Sequence, residues 1–232
     1  PGNLEPESVA FSPDGTRCYV TLQENNMLLT LDPARARILS LRGLGVTEHP
    51  ADVTNDGKVA FDATLRAFRE PDGVAVTPDG KYVVTADEGD TNPSVGETGP
   101  GSTTGGGRTI SLFDARTGDL VSDTGNQIDE RAHASGLYPD ARSGSRGCEP
   151  ESVVCFRCHG RTYAAVALER ANAVALVDIS DPELPVVRYV TALPPGSIGP
   201  EGIAVLQTKG RTHLLVANEV SGDLVVLHFR CR

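Results

Sequence analysis

Two short phrases recur in step four times along this chain of 232 residues, and this repetition constrains the fold more than any other feature. The first phrase is a proline, an acidic residue, a small residue and then a short apolar run. It begins at Pro6, Pro71, Pro150 and Pro200. The second phrase is a β-rich run that ends in glutamate. It ends at Glu24, Glu88, Glu169 and Glu219. Because the two phrases keep a nearly constant separation, the chain repeats one supersecondary unit, and such a repeat sets the architecture.

Each unit is predicted to contain short strands joined by close turns. In the first unit, the apolar and β-branched runs cover 9–12, 18–22, 27–31 and 38–41, and Pro13-Asp14-Gly15 is a turn between the first two. No window shows a convincing amphipathic helix. Four-stranded antiparallel units in series predict an all-β fold, a β-propeller of about four four-stranded blades.

The repeat also predicts where the blades begin and end within one propeller portion, 1–232. The blades are expected at 5–45, 70–122, 149–193 and 199–232, with insertions at 46–69, 89–107 and 123–148. The last unit contains three predicted strands, and no extra strand precedes the first unit to complete it. We therefore do not expect these units by themselves to form a closed ring. We expect the blades to belong to a larger ring of around seven, completed by upstream chain or a neighbouring subunit.

Carboxylates are predicted to gather on one face of the disc. In an antiparallel meander the second strand ends on the side where the first began. Both recurring sets of acidic residues therefore converge there. They are Glu7, Asp72, Glu151, Glu201, Glu24, Glu88, Glu169 and Glu219. A residue present in every blade usually holds blades together, so we favour a structural role for the second-strand glutamates, with a shared cation as the alternative.

Composition narrows the class of partner. The formal net charge is −10 and the pI about 4.9, which disfavours nucleic acid and is compatible with cations. No apolar stretch is long enough to span a membrane.

One segment resembles the first half of a calcium loop. It runs from Asp52 through Thr54 and Asp56 to Gly57, with oxygen ligands at alternate positions before a glycine. The second half does not match, because Ala63 stands where the loop needs glutamate. Calcium bound by Asp52, Thr54 and Asp56 and an ordinary turn are both compatible with this segment.

The segment from Cys155 to His159 matches the c-type haem pattern C-x-x-C-H. It aligns with the hairpin turn of the first unit, and the chain has one methionine to offer as second axial ligand, so no haem is expected. The expected alternatives are simple thiols or a disulfide that joins Cys155 to Cys158 or to Cys148.

Several of these phrases resemble one known family. They include Leu4-Glu5-Pro6-Glu7, Thr85-Ala86-Asp87-Glu88-Gly89-Asp90, Ala167-Leu168-Glu169-Arg170 and Val216-Ala217-Asn218-Glu219. In this order they resemble the choice-of-anchor I β-propeller family, which includes mesenchyme-specific cell surface glycoproteins linked to biomineralisation. The resemblance implies a secreted or cell-surface protein with additional blades upstream. It carries over no catalytic residues.

Two hypotheses about function follow. The sequence favours a non-enzymatic extracellular or cell-surface module that presents an acidic face to calcium, mineral or a protein partner. The alternative is a metal-dependent propeller hydrolase of the phosphoesterase or lactonase type, which would need a metal with an open coordination position and a neighbouring base.

Overall fold

A computed structural model of the protein describes residues 4–89, 106–208 and 211–229. These residues form four antiparallel sheets in series and a separate two-stranded hairpin, and in each sheet strands that are consecutive in sequence pair with one another. The fold is therefore an all-β propeller portion, as the repeat predicts. The first two sheets contain β1 (Pro6–Phe11), β2 (Cys18–Leu22), β3 (Met27–Asp32), β4 (Arg37–Gly43), β7 (Val74–Val76), β8 (Tyr82–Asp87), β9 (Thr109–Asp114) and β10 (Leu120–Asp123).

The third sheet has four strands, and the fourth has three within the described residues. Their strands are β11 (Pro150–Cys158), β12 (Arg161–Leu168), β13 (Ala173–Asp178), β14 (Val186–Ala192), β15 (Pro200–Thr208), β16 (Arg211–Asn218) and β17 (Asp223–Phe229). The first strands of neighbouring sheets contact each other in the order β1, β7, β11, β15, so they form the inner wall of the disc.

Two insertions carry structure that the sequence did not predict. Residues 46–69 contain a separate hairpin of β5 (Val46–Ala51) and β6 (Ala63–Phe68). Residues 123–148 contain a helix, α1 (Gln127–Ala134), which the sequence did not predict, although the fold remains all-β. The helix is short, and it buries Ile128 and Ala132 against the core between the second and third sheets. Of the insertion 89–107, residues 90–105 lie outside the described residues.

The apolar core lies between consecutive sheets. The largest cluster joins the second and third sheets through residues such as Val84, Leu112 and Val166. Smaller clusters lie between the third and fourth sheets and between the first and second. This packing also buries Val74 and Val153, while Val9 on β1 is 58% exposed. Sheets with neighbours on both sides are therefore covered, whereas the first sheet is covered on one face.

No helix of the described residues is long and apolar enough to cross a membrane.

Candidate functional site

The acidic residues of the inner strands lie where these strands begin, at one end of the disc. Neighbouring inner strands approach closely here: a Cβ added to Gly73 would lie 2.5 Å from the carbonyl oxygen of Glu151. The glycine therefore lets β7 and β11 pack side by side. Asp72 and Glu151 hydrogen-bond to each other through their side chains across this junction. Glu151 is buried and Asp72 half-buried, whereas Glu7 and Glu201 are exposed.

Strand register corrects one of the predicted equivalences. Val9 pairs with Val20 in the first sheet, as Val153 pairs with Val166 in the third. Three residues beyond Val166 is Glu169, and three residues beyond Val20 is Gln23. The residue equivalent to Glu169 is therefore Gln23, and the alignment of Glu24 with it was wrong by one residue.

The same register places Glu88 and Glu219 at the position of Glu169 in their own sheets. The environments nevertheless differ. Glu88 and Glu169 are buried, whereas Glu24 and Glu219 are exposed. Gln23 is buried too, and its amide donates to a Glu88 carboxylate oxygen at 2.6 Å, which joins the first two sheets. The four second-strand glutamates are therefore not one symmetric set.

Four buried glutamates form the centre of the site, and we call them the glutamate cluster. They are Glu88, Glu149, Glu151 and Glu169. One carboxylate oxygen from each lies within 4.8 Å of those of the others, so the group is compact enough to surround a single cation. Glu88 and Glu169 directly follow β8 and β12, while Glu149 and Glu151 flank Pro150 at the start of β11. The cluster therefore joins the second and third sheets.

Three arginines partly neutralise the glutamate cluster. The Arg142 guanidinium lies 2.6 Å from a Glu149 oxygen, and Arg146 lies 2.6 Å from Glu88 and 3.6 Å from Glu149. Arg170 lies 3.0 Å from Glu169 and 3.4 Å from Glu149. Glu149, which is completely buried, thus accepts hydrogen bonds from Arg142 and Arg170 and forms an ion pair with Arg146. Buried carboxylates require this kind of compensation.

Glu151 is the exception within the glutamate cluster. Among the salt bridges of the described residues, arginines pair with Glu88, Glu149 and Glu169, and none includes Glu151. Burial, followed by repulsion from Glu88, Asp72 and other carboxylates, raises the pKa of Glu151 to about 11. Burial also raises the pKa of Glu88 to about 8, although Arg146 and Gln23 oppose the shift. Glu151 therefore holds a proton at neutral pH.

The surrounding acidic residues follow the same pattern. Burial raises the pKa of Asp72, with repulsion from Glu7 adding to it and the hydrogen bond with Glu151 opposing it. Burial also raises the pKa of Glu201, reinforced by Glu219 and Asp72. The carboxyl groups of the inner strands thus lie close together. Their mutual repulsion favours the binding of either protons or cations at this end of the disc.

Asp87, a further buried carboxylate, lies at the end of β8, directly before Glu88. Asp87 accepts hydrogen bonds from the hydroxyls of Thr85, Thr109 and Ser111 at 2.6, 2.5 and 2.5 Å. Arg69 lies 3.8 Å from it. Burial raises the pKa of Asp87 to about 6 in spite of these partners. The chain is thereby anchored where it delivers Glu88 to the glutamate cluster.

The predicted calcium ligands lie elsewhere, in the loop after β5. Asp52 is buried, and its carboxylate accepts from the Thr54 amide at 3.2 Å and from the Ser143 hydroxyl at 3.0 Å. Asp56 is exposed and accepts from the amide of Lys58 at 2.9 Å, as in an ordinary turn. The glutamate cluster includes neither aspartate. Calcium binding by Asp52, Thr54 and Asp56 stays a prediction.

The cysteines differ from the expected pairing. Cys18, Cys148 and Cys155 are free thiols, whereas Cys158 is disulfide-bonded. The expected alternatives of a Cys155–Cys158 or Cys155–Cys148 bridge are therefore wrong. Cys155 and Cys158 also lie within β11 itself, since the turn comes only at His159 and Gly160. Burial raises the pKa of the Cys155 thiol to about 12, so it remains protonated.

Sequence reasoning missed Glu149 and the three arginines. A signal for Glu149 was present, because an acidic residue precedes the proline in three of the four units, at Glu5, Glu70 and Glu149. Arg142 and Arg146 had no such signal, because they belong to the insertion after β10 and have no counterpart in the other units.

Comparison with known proteins supports this architecture. No curated protein matches the chain significantly. Similar solved structures include the WD40 repeats of RRP9, with 10% identity and a TM-score of 0.54, covering 99% of this chain and 52% of that one. Hydrazine synthase from Kuenenia stuttgartiensis matches with 14% identity and a TM-score of 0.51, covering 98% of this chain and 51% of that one.

A putative 6-phosphogluconolactonase from Bacteroides uniformis is also similar, with 15% identity and a TM-score of 0.50, covering 99% of this chain and 56% of that one. The chain thus spans about half the length of the solved structures it matches, and likeness at this identity concerns the fold alone. The Choice-of-anchor I domain matches residues 2–103 and 98–182. Because this match extends over more than half of the sequence, the chain belongs to the choice-of-anchor I family.

Proposed function

We propose that the protein is a non-enzymatic, extracellular or cell-surface propeller module whose acidic end binds calcium, either free or at the surface of a mineral or protein partner. The family supports a propeller at the cell surface. The observation that carries the proposal is Glu151, a buried carboxyl surrounded by carboxylates and outside the arginine pairs. A divalent cation here would replace the proton and relieve the repulsion.

The geometry favours binding over hydrolysis. Hydrolytic metal sites combine an open coordination position with a neighbouring base. In the glutamate cluster three of the four carboxylates pair with arginines and Glu151 holds a proton, so none of the four is a free base beside a bound metal. The alternative, a metal-dependent phosphoesterase or lactonase, predicts metal-stimulated cleavage of p-nitrophenyl phosphate or of a γ-lactone. We expect neither with calcium or manganese.

Calorimetric titration with calcium tests the proposal. We expect weak binding, with a Kd on the order of 10⁻⁴–10⁻³ M as in extracellular modules. Because calcium competes with the Glu151 proton, and below about pH 8 also with the Glu88 proton, at least about one proton should be released per ion, measured from the heat in buffers of different ionisation enthalpy. Glu151→Gln should abolish binding, and Glu130→Gln, an exposed change in α1, should leave it unchanged.

Two further outcomes decide between sites. If Asp52→Ala and Asp56→Ala abolish calcium binding while Glu151→Gln does not, the loop after β5 is the site and the glutamate cluster is structural. If the wild-type protein binds no calcium at millimolar concentration, the proposal is wrong.

A further inference from the structure

The Arg146 side chain bridges the glutamate cluster. One of its guanidinium nitrogens lies 2.6 Å from a Glu88 oxygen, and another lies 3.6 Å from a Glu149 oxygen. Glu88 follows β8 in the second sheet and Glu149 precedes β11 in the third, so the guanidinium spans the same junction as the cluster. It thus takes the place of a cation shared between the two sheets.

A bound calcium ion and the Arg146 guanidinium exclude each other. Calcium takes oxygen ligands at about 2.3–2.6 Å. Carboxylate oxygens of the cluster lie within 4.8 Å of one another, about twice this distance, so a calcium ion that bridges them lies between Glu88 and Glu149. The guanidinium contacts the same two carboxylates, and two cations so close together repel strongly where water is excluded.

The backbone that carries Arg146 is held at several points. The buried Arg108 guanidinium donates to the carbonyl oxygens of Ser143 and Ser145 at 2.7 and 3.1 Å. In the loop after β5, the Asn55 side chain accepts from the backbone N–H of Gly144 at 2.6 Å. The Arg146 side chain is 23% exposed, so its guanidinium can turn into solvent without movement of this backbone.

The other two arginines do not bridge the two sheets. Among the salt bridges of the part of the chain that the structure describes, Arg142 pairs with Glu149 alone. Arg170 pairs with Glu149 and Glu169, which flank the first two strands of the same sheet. Arg146 is therefore the arginine that competes most directly with a cation shared by the second and third sheets.

We propose that Arg146 is a built-in competitor of calcium, which occupies the glutamate cluster until a calcium ion displaces its guanidinium into solvent. This inference rests on the calcium binding proposed above and concerns its regulation. Because the chain tethers Arg146 beside the cluster, the guanidinium competes at a high effective concentration. It keeps the calcium affinity low, and it returns to Glu88 and Glu149 when calcium leaves.

Calorimetric titration of the whole chain with calcium chloride tests this role. Arg146→Met removes the charge and retains an unbranched apolar stem, so the calcium affinity should rise at least about tenfold. Arg142→Met should raise the affinity less, because Arg142 contacts only one carboxylate of the cluster. Arg131→Met, which removes an exposed arginine of α1, should bind calcium as the wild type does.

Two further measurements keep the test independent of the folding of one variant. Arg146→Lys retains a positive charge but lacks the planar group that bridges Glu88 and Glu149, so its calcium affinity should lie between those of the wild type and Arg146→Met. In the wild type, calcium should shift the guanidinium ¹⁵N signals of Arg146 towards those of an exposed arginine such as Arg131.

The outcomes separate this inference from the proposed function. If the wild type binds calcium while Arg146→Met binds no more tightly and the Arg146 signals do not shift, Arg146 is not a competitor and the calcium site stands. If the variant binds calcium and the wild type does not, the competition is confirmed and the native cluster is closed to calcium. If neither binds at millimolar concentration, both proposals are wrong.

Discussion

Glu149 and Glu151 stand on either side of one proline and have opposite electrostatic surroundings. Glu149 accepts hydrogen bonds from two arginines and forms an ion pair with a third. Glu151 faces Asp72, Glu88, Glu169 and Glu201, and the balance keeps it protonated. The difference arises because Glu149 lies before β11 with a positive φ of 54°, and because the register of β11 shifts between Pro150 and Val153, so the two side chains do not follow the regular alternation of a strand. The protonation state of each glutamate thus depends on the groups that its side chain faces, not on its neighbours in sequence.

The raised pKa of Glu151 predicts that stability falls as pH rises. The folded state holds a proton that the unfolded chain releases above its ordinary pKa of 4.5, so the free energy of unfolding decreases between that value and about 11. One such group contributes a slope of about 1.4 kcal/mol per pH unit. Glu151→Gln should therefore reduce the loss of stability between pH 6 and pH 8, as measured by urea unfolding.

The control is Glu130→Gln, which changes an exposed carboxylate and should leave the slope as in the wild type. Glu88→Gln should reduce the slope over the lower part of the range, because the pKa of Glu88 is raised only to about 8. A Glu151→Gln protein that loses stability as steeply as the wild type would show that Glu151 is ionised in the folded protein.

At the scale of elements, asparagines join consecutive sheets. The Asn26 side chain accepts from the backbone N–H of Glu70 at 3.0 Å, and the Asn172 side chain accepts from that of Gly199 at 2.9 Å. Each asparagine lies in the turn after a second strand, with positive φ. Asparagine tolerates this conformation and carries the acceptor as well. These residues, in the turns next to the acidic positions, perform the structural role that sequence reasoning assigned to the second-strand glutamates.

Replacement of Asn172 with glycine should destabilise the protein by about 1–3 kcal/mol, because it leaves the buried N–H of Gly199 without its acceptor. Glycine is the appropriate replacement, since it accepts the positive φ and Gly222 occupies the same position in the fourth unit. Chemical denaturation measures the loss. Asn172→Asp, which retains an acceptor oxygen, should recover most of the stability; equal losses in both variants would contradict the role of the hydrogen bond.

At the scale of the whole molecule, the first and last sheets differ from the middle ones. All residues of β13 are buried, whereas β1 and β17 alternate between covered and exposed residues. The outward face of the first sheet is apolar: Val9, Val20, Leu29 and Leu41 pair in one row across it. On the outward face of the fourth sheet, Leu224 and Val226 are 62% and 49% exposed. These faces resemble the inner faces of sheets in the core.

Because exposed apolar faces of this kind associate, residues 1–232 should self-associate at micromolar concentration. Light scattering coupled to size-exclusion chromatography measures the mass. The double variant Leu41→Lys/Leu224→Lys places a charge on each face and should shift the protein towards monomer without loss of folding, since both side chains are exposed. A wild-type monomer with a single cooperative melt would show that the outward faces need no partner.

The sequence alone determined the order of strands, the repeat and the family, because turns, apolar runs and prolines act locally and recur in every unit. It also pointed to one acidic end of the disc. The tertiary structure decided the composition of the glutamate cluster. Strand register placed Gln23 in the position assigned to Glu24, and a helical insertion delivered Arg142 and Arg146 to Glu149. Pairing register and contacts from an insertion depend on how distant segments pack, and no local pattern of residues encodes either of them.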